Sequence, residues 1–249
     1  MPTLPQLDLA HVLQPATNFV AHEANGPLVM SHGEGVYVFD TEGRRYLEGM
    51  AGLWCTSLGY GEEALVQAAA QQMRTLAFSQ MFASRSHAPG ILLAERLAAM
   101  LPAPASGGGW RLFFGNSGSD ANDTLVKLVR YYNNAIGRPR KKKIISRLRG
   151  YHGVTVASAS LTGLPNFHAH FDLPIEGVLH ADCPHHYRHA EPGESEEAFA
   201  DRLAANLQAL IEREGADTIA AFIAEPIMGA GGAIVPPATY LEKVQAVLR

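Results

Sequence analysis

Hydrophobic positions recur along the chain with the spacing of helices and, between them, in short runs typical of strands. Helical spacing predicts helices at 62–76, 90–101, 195–214 and 237–249, with a short one near 154–161. Another helix is predicted after Ser119, with Ala121, Leu125, Leu128 and Tyr132 on its apolar face. Apolar and β-branched runs predict strands at 110–114, 143–148, 177–181 and 218–225, and a hairpin over 36–49. The succession of strand and helix after residue 110 predicts an α/β fold, a mostly parallel sheet covered by helices.

Composition limits the class of protein. The 249 residues carry 20 Lys+Arg against 24 Asp+Glu, a formal net charge of −4, so nucleic acid is not an expected partner. The two cysteines, Cys55 and Cys183, are too few for a disulfide framework and favour a reducing compartment. The N-terminus shows no secretory signal, and no stretch approaches the roughly 20 apolar residues of a membrane span. We therefore expect a soluble, cytoplasmic protein without a membrane partner.

The stretch GNSGSDANDTLVKL, residues 115–128, places small residues between a predicted strand and a predicted helix. Such a turn exposes the first backbone N–H groups of the helix and the positive end of its dipole, and both attract anions. The stretch is neither GxGxxG nor a P-loop ending in Gly-Lys-Ser/Thr, which argues against NAD and ATP and favours a single phosphate monoester. The alternative is a tight turn in which Ser119 or Asp120 caps the helix.

Two more stretches follow predicted strands. RGYHGVT, residues 149–155, places Tyr151 and His152 where an aromatic ring can cover one face of a flat ligand, and the alternative is an ordinary surface Tyr-His pair. IAEPIMGAGG, residues 223–232, ends an apolar strand with Glu225. That carboxylate would either face a ligand or cap the glycine turn behind it. Neither stretch decides between its two interpretations by itself.

Taken together, FFGNSGSDANDTLVKL, RGYHGVT and AEPIMGAGG, in this order and separation, resemble the class III (omega) aminotransferases. These are pyridoxal phosphate (PLP) enzymes with the fold of aspartate aminotransferase, fold type I. The similarity runs from about Phe19 to the last residue, with Asp120 where the family usually has Glu. The segment GLWC, residues 52–55, is similar to the amine–pyruvate branch rather than the ornithine or GABA branch. The resemblance implies transfer of an amino group from a primary amine or omega-amino acid to pyruvate, a 2-oxo acid.

The resemblance also implies which residues bind PLP. Gly118 and Ser119 would bind its phosphate, and Ser117 would shape the turn. Tyr151 would stack on the pyridine ring, with His152 behind it. The remaining PLP-binding position is in the network of hydrogen bonds beside the ring, and it falls on Glu225.

Substrate contacts and domain organisation are implied in the same way. Trp54 and Ala230 would line the substrate pocket, and Phe82 would reach into it from a partner subunit, which implies a homodimer. Residues 1–60 would be an N-terminal segment with the hairpin, part of the small domain. Residues 61–249 would be an incomplete PLP-binding large domain.

The family places two catalytic groups after the Glu-Pro strand: the Schiff-base lysine, and the carboxylate that keeps the pyridine nitrogen protonated. Neither position occurs before Arg249, and no lysine of this chain matches the family's lysine. We therefore expect the N-terminal part of an aminotransferase, inactive by itself. The alternatives are a non-catalytic module that binds phosphate or PLP, and a structural remnant without a ligand.

Histidines surround Cys183 in HADCPHHYRH, residues 180–189. The histidines are His180, His185, His186 and His189. Their spacing fits no established zinc pattern, so no metal site is expected.

Overall fold

The computed structural model describes residues 1–104 and 107–249. Its Cα positions divide the chain into two compact units, Met1–Pro102 and Ala103–Arg249. The domain division expected from the family, between residues 60 and 61, stays a prediction. Within the described residues, no helix combines the length and the apolar character needed to cross a bilayer.

The N-terminal unit contains helices and one small antiparallel sheet. Its elements are α1 (Leu4–His11), α2 (Phe19–Asn25), β1 (Met30–Glu34), β2 (Tyr37–Asp40), β3 (Arg45–Leu47), α3 (Ala51–Trp54), α4 (Glu63–Leu76) and α5 (Ala88–Met100). The sheet order is β1-β2-β3, so the predicted hairpin is confirmed and β1 extends it. Asp40 closes the hairpin turn because its Oδ1 accepts from the backbone N–H groups of Glu42 and Arg44, both at 2.9 Å. The weak periodicity of residues 1–33 gave no sign of α1, α2 or β1.

The C-terminal unit has the predicted α/β architecture. Its elements are α6 (Gly118–Ala135), β4 (Lys143–Arg147), α7 (Val156–Leu161), β5 (Val178–Ala181), α8 (His186–His189), α9 (Glu196–Glu214), β6 (Ile219–Phe222) and α10 (Tyr240–Leu248). The three strands are parallel in the order β5-β4-β6, with β4 in the centre. The chain therefore crosses over between strands through helices, as parallel pairing requires.

Alternating side chains on β4 build a core on each side of the sheet, because successive residues of a strand point to opposite faces. Ile144 belongs to the cluster that contains Val126 of α6 and Leu161 of α7. Ile145 belongs to the opposite cluster, which is formed with α9 and α10 and includes Phe199, Leu203, Leu207, Tyr240 and Val244. The carboxyl end of β4 thus lies between two helical layers.

The strand predicted at 110–114 is wrong: these residues are irregular. Phe113 is 64% exposed and Phe114 is 40% exposed, so the apolar run that suggested a buried strand is not buried in this structure. A strand forms only beside another strand. The sheet of the C-terminal unit, as described, consists of β4, β5 and β6.

Helix α6 is confirmed, but the apolar stripe that predicted it is not its buried face. Leu125, Leu128 and Tyr132 are 44%, 53% and 62% exposed, whereas Val126 and Asn133 are buried. The helix carries apolar residues on two adjacent faces, and Val126 is the one that packs towards Ile144. Periodicity identifies a helix with an apolar stripe, but it does not tell which of two stripes meets the sheet.

Candidate functional site

Helix α6 begins with a turn that presents hydrogen-bond donors. Ser117 is its N-cap, and its Oγ accepts from the backbone N–H of Asp120 at 3.1 Å. The alternative assignment of the cap to Ser119 or Asp120 is therefore wrong. Asp120 Oδ2 instead accepts from the N–H of Asn116 at 3.0 Å and fixes the approach to the helix. We call residues 117–120 the α6 N-terminal turn.

Gly118 and Ser119 supply the donors of this turn. Their N–H groups lie in the first turn of the helix, where no carbonyl four residues earlier is available within the helix. Ser119 Oγ accepts from the N–H of Val154 at 3.1 Å, which leaves its hydroxyl proton to be donated to another group. A Cβ built on Gly118 would meet no atom within 4 Å, so the space in front of the turn is open. Two N–H groups, one O–H group and a helix dipole suit a phosphate monoester.

The loop after β4 carries Tyr151 and His152 beside that turn. The Tyr151 ring is 36% exposed and packs edge-on against Phe167, with 5.7 Å between ring centroids and 68° between planes. The main chain of His152 is held on both sides, because its N–H donates to Thr162 Oγ1 at 2.9 Å and its carbonyl accepts from Asn122 Nδ2 at 2.7 Å. A half-exposed ring on a fixed main chain can pack against a flat ligand.

The imidazole of His152 is buried and neutral in character. Burial lowers its pKa, the nearby Arg147 cation acts in the same direction, and the Glu225 carboxylate opposes them. Its Nε2 is buried and has no hydrogen-bond partner in the part of the chain that the structure describes. His152 can therefore accept or donate a hydrogen bond to a further group at this atom.

Glu225 lies three residues beyond the end of β6, because the strand is shorter than the predicted 218–225. Its Oε1 accepts from the N–H of Tyr151 and its Oε2 from the N–H of Gly229, both at 2.9 Å. The carboxylate thus joins the loop after β4 to the glycine turn after β6. Glu225 therefore has the capping role that the sequence left open. The same two bonds hold its carboxylate beside Tyr151.

Arg147 contacts the candidate site and was not predicted from the sequence. It is fully buried at the end of β4, and its Nη2 donates to the carbonyl of Glu225. Its Nε and Nη1 have no acceptor among the described residues. An arginine within the predicted strand 143–148 was the available signal, since charged side chains are almost never fully buried without a partner.

The structure brings one group of the predicted site residues together within the C-terminal unit. Ser117, Gly118, Ser119, Tyr151, His152 and Glu225 are joined by the contacts above. Ala230 is exposed in the turn between Met228 and Ile234, which pair through their backbones. Trp54 and Phe82 belong to the N-terminal unit, where they are 66% and 70% exposed. The substrate roles of Trp54, Phe82 and Ala230 stay predictions.

The histidine-rich segment around Cys183 shows no metal centre. In residues 1–104 and 107–249, no three His, Cys, Asp or Glu side chains are placed to hold a metal ion together. Cys55 is exposed and Cys183 is buried, and both are free thiols.

Comparison with known proteins settles the family. The family model of the class-III aminotransferases matches residues 19–249. The chain belongs to the class-III aminotransferases. Gamma aminobutyrate transaminase 3, chloroplastic, from Solanum lycopersicum is 58% identical over 223 residues, which are 90% of this chain and 42% of that protein. Vanillin aminotransferase from Capsicum annuum is 55% identical over the same share of this chain and 48% of its own length.

Solved structures of aminotransferases share the fold. The omega transaminase from Pseudomonas jessenii in complex with PMP superimposes with a TM-score of 0.95 at 56% identity, over 99% of this chain and 53% of that one. A PMP-bound aminotransferase from Vibrio fluvialis gives the same TM-score at 40% identity and is covered to 54%. This class-III aminotransferase chain thus spans about half the length of the relatives that it matches.

Proposed function

We propose that this chain is the N-terminal part of a PLP-dependent transaminase and carries its phosphate-binding and ring-binding residues. The observation that carries the proposal is the junction of three elements at one sheet edge. The α6 N-terminal turn offers phosphate donors, the loop after β4 offers the Tyr151 ring, and Glu225 fixes that loop through the Tyr151 N–H. PMP, the amine form of the cofactor, is bound by two of the similar structures.

The donor set of the α6 N-terminal turn fits the phosphate group of PLP. Gly118 and Ser119 would bind the phosphate through N–H and O–H groups, and the open space at Gly118 leaves room for it. Tyr151 would cover one face of the pyridine ring. When bound, PLP supplies an electron sink for chemistry at the carbon that bears the amino group. The part of this chain is to hold the cofactor by its phosphate and ring and to fix its orientation.

His152 and Arg147 would shape the environment beside the ring. A neutral imidazole can hydrogen-bond without adding a second positive charge next to Arg147. Arg147 holds the main chain that carries Glu225 and so keeps its carboxylate against the Tyr151 loop. The covalent lysine and the carboxylate at the pyridine nitrogen would come from sequence that follows the Glu-Pro segment in the family, so residues 1–249 by themselves would not turn over.

The proposed substrates are an amine and a 2-oxo acid. The GLWC segment favours a primary amine or omega-amino acid as donor and pyruvate as acceptor. The relatives are named as gamma aminobutyrate, vanillin and omega transaminases, so their names do not select one amino donor. Trp54 and Ala230 are the proposed pocket residues of the same subunit. Phe82 is the proposed contribution of a partner in a homodimer.

The compartment is proposed from cysteine usage. Both thiols are free, which suits a reducing compartment such as the cytoplasm. Several plant relatives are named as chloroplastic or mitochondrial. Fractionation of cells that express the tagged protein from its complete coding sequence would locate it.

The test is an amino-transfer assay with the protein expressed from its complete coding sequence. We expect alanine to form from pyruvate with a panel of primary amines and omega-amino acids, and to depend on added PLP after dialysis. Preference for 2-oxoglutarate with ornithine or GABA would overturn the donor and acceptor assignment. Tight PLP binding without transfer to either oxo acid would instead support the non-catalytic module.

A further inference from the structure

Two side chains of α6 hold the loop that carries Tyr151, and neither has a part in the proposed function so far. Asn122 Nδ2 donates to the carbonyl of His152 at 2.7 Å. Asp123 Oδ1 accepts from Thr155 Oγ1 at 2.8 Å and from the backbone N–H of Ser158 at 2.9 Å. These bonds join residues that are more than 29 positions apart in the chain, so they are tertiary contacts.

The contacts come from one face of the helix. Ser119, Asn122 and Asp123 are spaced at i, i+3 and i+4, which places them side by side on a helix surface. Ser119 Oγ accepts from the N–H of Val154 at 3.1 Å, so the same face meets the loop at residues 152, 154 and 155 and the first turn of α7 at Ser158. The residue that would bind phosphate is thus also the first point of attachment of the loop.

Gly153 shows how closely the loop approaches the helix. A Cβ at this position would lie 2.5 Å from Ser119 Oγ and 2.4 Å from Ser158 Oγ, and its φ is +132°. Only glycine can occupy it without moving either hydroxyl. Direct contact therefore sets the distance between the loop and the α6 N-terminal turn. The position of Tyr151 relative to that turn is fixed as a result.

We propose that Asn122 and Asp123 are positioning residues that fix the Tyr151 ring relative to the phosphate-binding turn. The inference rests on the proposed function, since it assigns the contacts to the binding of one ligand with a phosphate and a flat ring. The phosphate donors and the ring are separate in sequence, and a ligand that spans both is bound tightly only if their spacing is fixed in advance. Asn122 fixes the main chain next to Tyr151, and Asp123 fixes the end of the loop where α7 begins.

The test compares a ligand that has the ring with a ligand that lacks it. Asp123→Ala, Asp123→Asn and Asn122→Ala are made in the protein expressed from its complete coding sequence. Dissociation constants are measured for PLP and for inorganic phosphate, and the circular dichroism of bound PLP reports the orientation of its ring. Asp182→Ala with Asn206→Ala is the matched control. Asn206 Nδ2 donates to Asp182 Oδ2 at 2.7 Å, and this bond involves neither α6 nor the loop after β4.

We expect Asn122→Ala, which removes one hydrogen bond, to weaken PLP binding about tenfold. Asp123→Ala removes two and should weaken PLP binding at least as much. Phosphate affinity should stay within about twofold of the wild type, because the α6 N-terminal turn is intact. The dichroism of bound PLP should change in both variants, and Asp123→Asn, which keeps an acceptor, should restore part of it. The control pair should change none of these values.

Two results would overturn the inference. One is a PLP affinity and dichroism equal to the wild type in both alanine variants. The other is an equal loss of PLP and phosphate affinity, which would mean that the residues only support the turn. If Asp123→Ala does not fold, Asp123→Asn and Asn122→Ala decide the same question. A wild-type protein that binds neither PLP nor phosphate would contradict the proposed function instead.

Discussion

Ser119 has two hydrogen-bonding tasks, and both depend on its Oγ. Its Oγ accepts from Val154 N–H, and its hydroxyl proton is the proposed donor to phosphate. Ser119→Ala removes both, so we expect PLP affinity to fall about tenfold at the energy of one charge-assisted hydrogen bond. Tyr151→Ala removes the ring contact, and the double variant should lose more PLP on dialysis than either single variant.

The matched control for this prediction is Ser195→Ala. Ser195 caps α9 as Ser117 caps α6, so its loss lowers helix stability but leaves the proposed phosphate site intact. PLP retention by the control should equal that of the wild type. Full retention by the Ser119→Ala, Tyr151→Ala double variant would show that the two residues do not hold the cofactor.

Two histidines, His152 buried and His180 partly buried, predict how stability depends on pH. Burial lowers the pKa of His180, and a further decrease comes from His168; burial also lowers the pKa of His152. The unfolded chain, with a histidine pKa of about 6.5, then binds more protons than the folded chain below that pH. Stability should be highest above about pH 6.5 and should fall as the pH drops towards the lower folded-state values.

His180→Leu tests the origin of that acid-side loss. The variant cannot titrate at this position, so the difference between its midpoints of urea unfolding at pH 7.5 and pH 5.5 should be smaller than in the wild type. Comparison of the two differences removes the cost of the substitution itself. An unchanged difference would show that His180 does not contribute to the acid sensitivity.

At the scale of elements, α3 stores backbone strain. All four of its residues have positive φ, with 59° at Gly52, 60° at Leu53 and 64° at Trp54. A residue with a Cβ loses roughly 1–2 kcal/mol in this left-handed region. Glycine avoids that cost, but it loses more conformational entropy on folding than other residues, which offsets part of the gain. The turn that presents Trp54 is therefore held against a local penalty.

Leu53→Gly should raise the free energy of unfolding by about 1 kcal/mol or less, because the relief of strain exceeds the entropy of glycine. Leu53 is 63% exposed, so little packing is lost. Leu13→Gly is the control, since Leu13 is 82% exposed and is not among the positive-φ residues. Urea unfolding measures both. If Leu53→Gly lowers the free energy of unfolding as much as Leu13→Gly does, α3 is not strained at Leu53.

The elements also show how far the sequence predicts this structure. The hairpin, the parallel sheet, α6 and α9 followed from periodicity and turn residues, because local spacing decides them. Small residues and polar strand ends pointed to Ser119, Tyr151 and Glu225, and their role as site residues stays a prediction. The strand at 110–114 failed because a strand depends on a distant neighbour. Asn122 and Asp123 were not found because their partners, some 30 residues away, become visible only when the chain is folded.

At the scale of the whole molecule, the proposed homodimer with shared sites makes a prediction about mixed subunits. Ser119→Asp should abolish the activity of its own subunit, because the carboxylate repels the phosphate. Phe82→Asp should abolish the activity of the partner subunit, because it places a charge in that subunit's substrate pocket. A dimer with one subunit of each kind then retains one intact site. Co-refolding of the two inactive variants should restore about a quarter of wild-type activity, since half of the random dimers are mixed. No restoration, or an active monomer in light scattering, would contradict shared sites.

The most direct test of the account is a crystal structure of the complete protein with PMP. We expect the phosphate within hydrogen-bond distance of the N–H groups of Gly118 and Ser119 and of Ser119 Oγ, with the Tyr151 ring against the pyridine ring. We also expect the bonds from Asp123 to Thr155 and from Asn122 to His152 to be kept. A phosphate bound away from the first turn of α6 would contradict the account, whatever the activity of the enzyme.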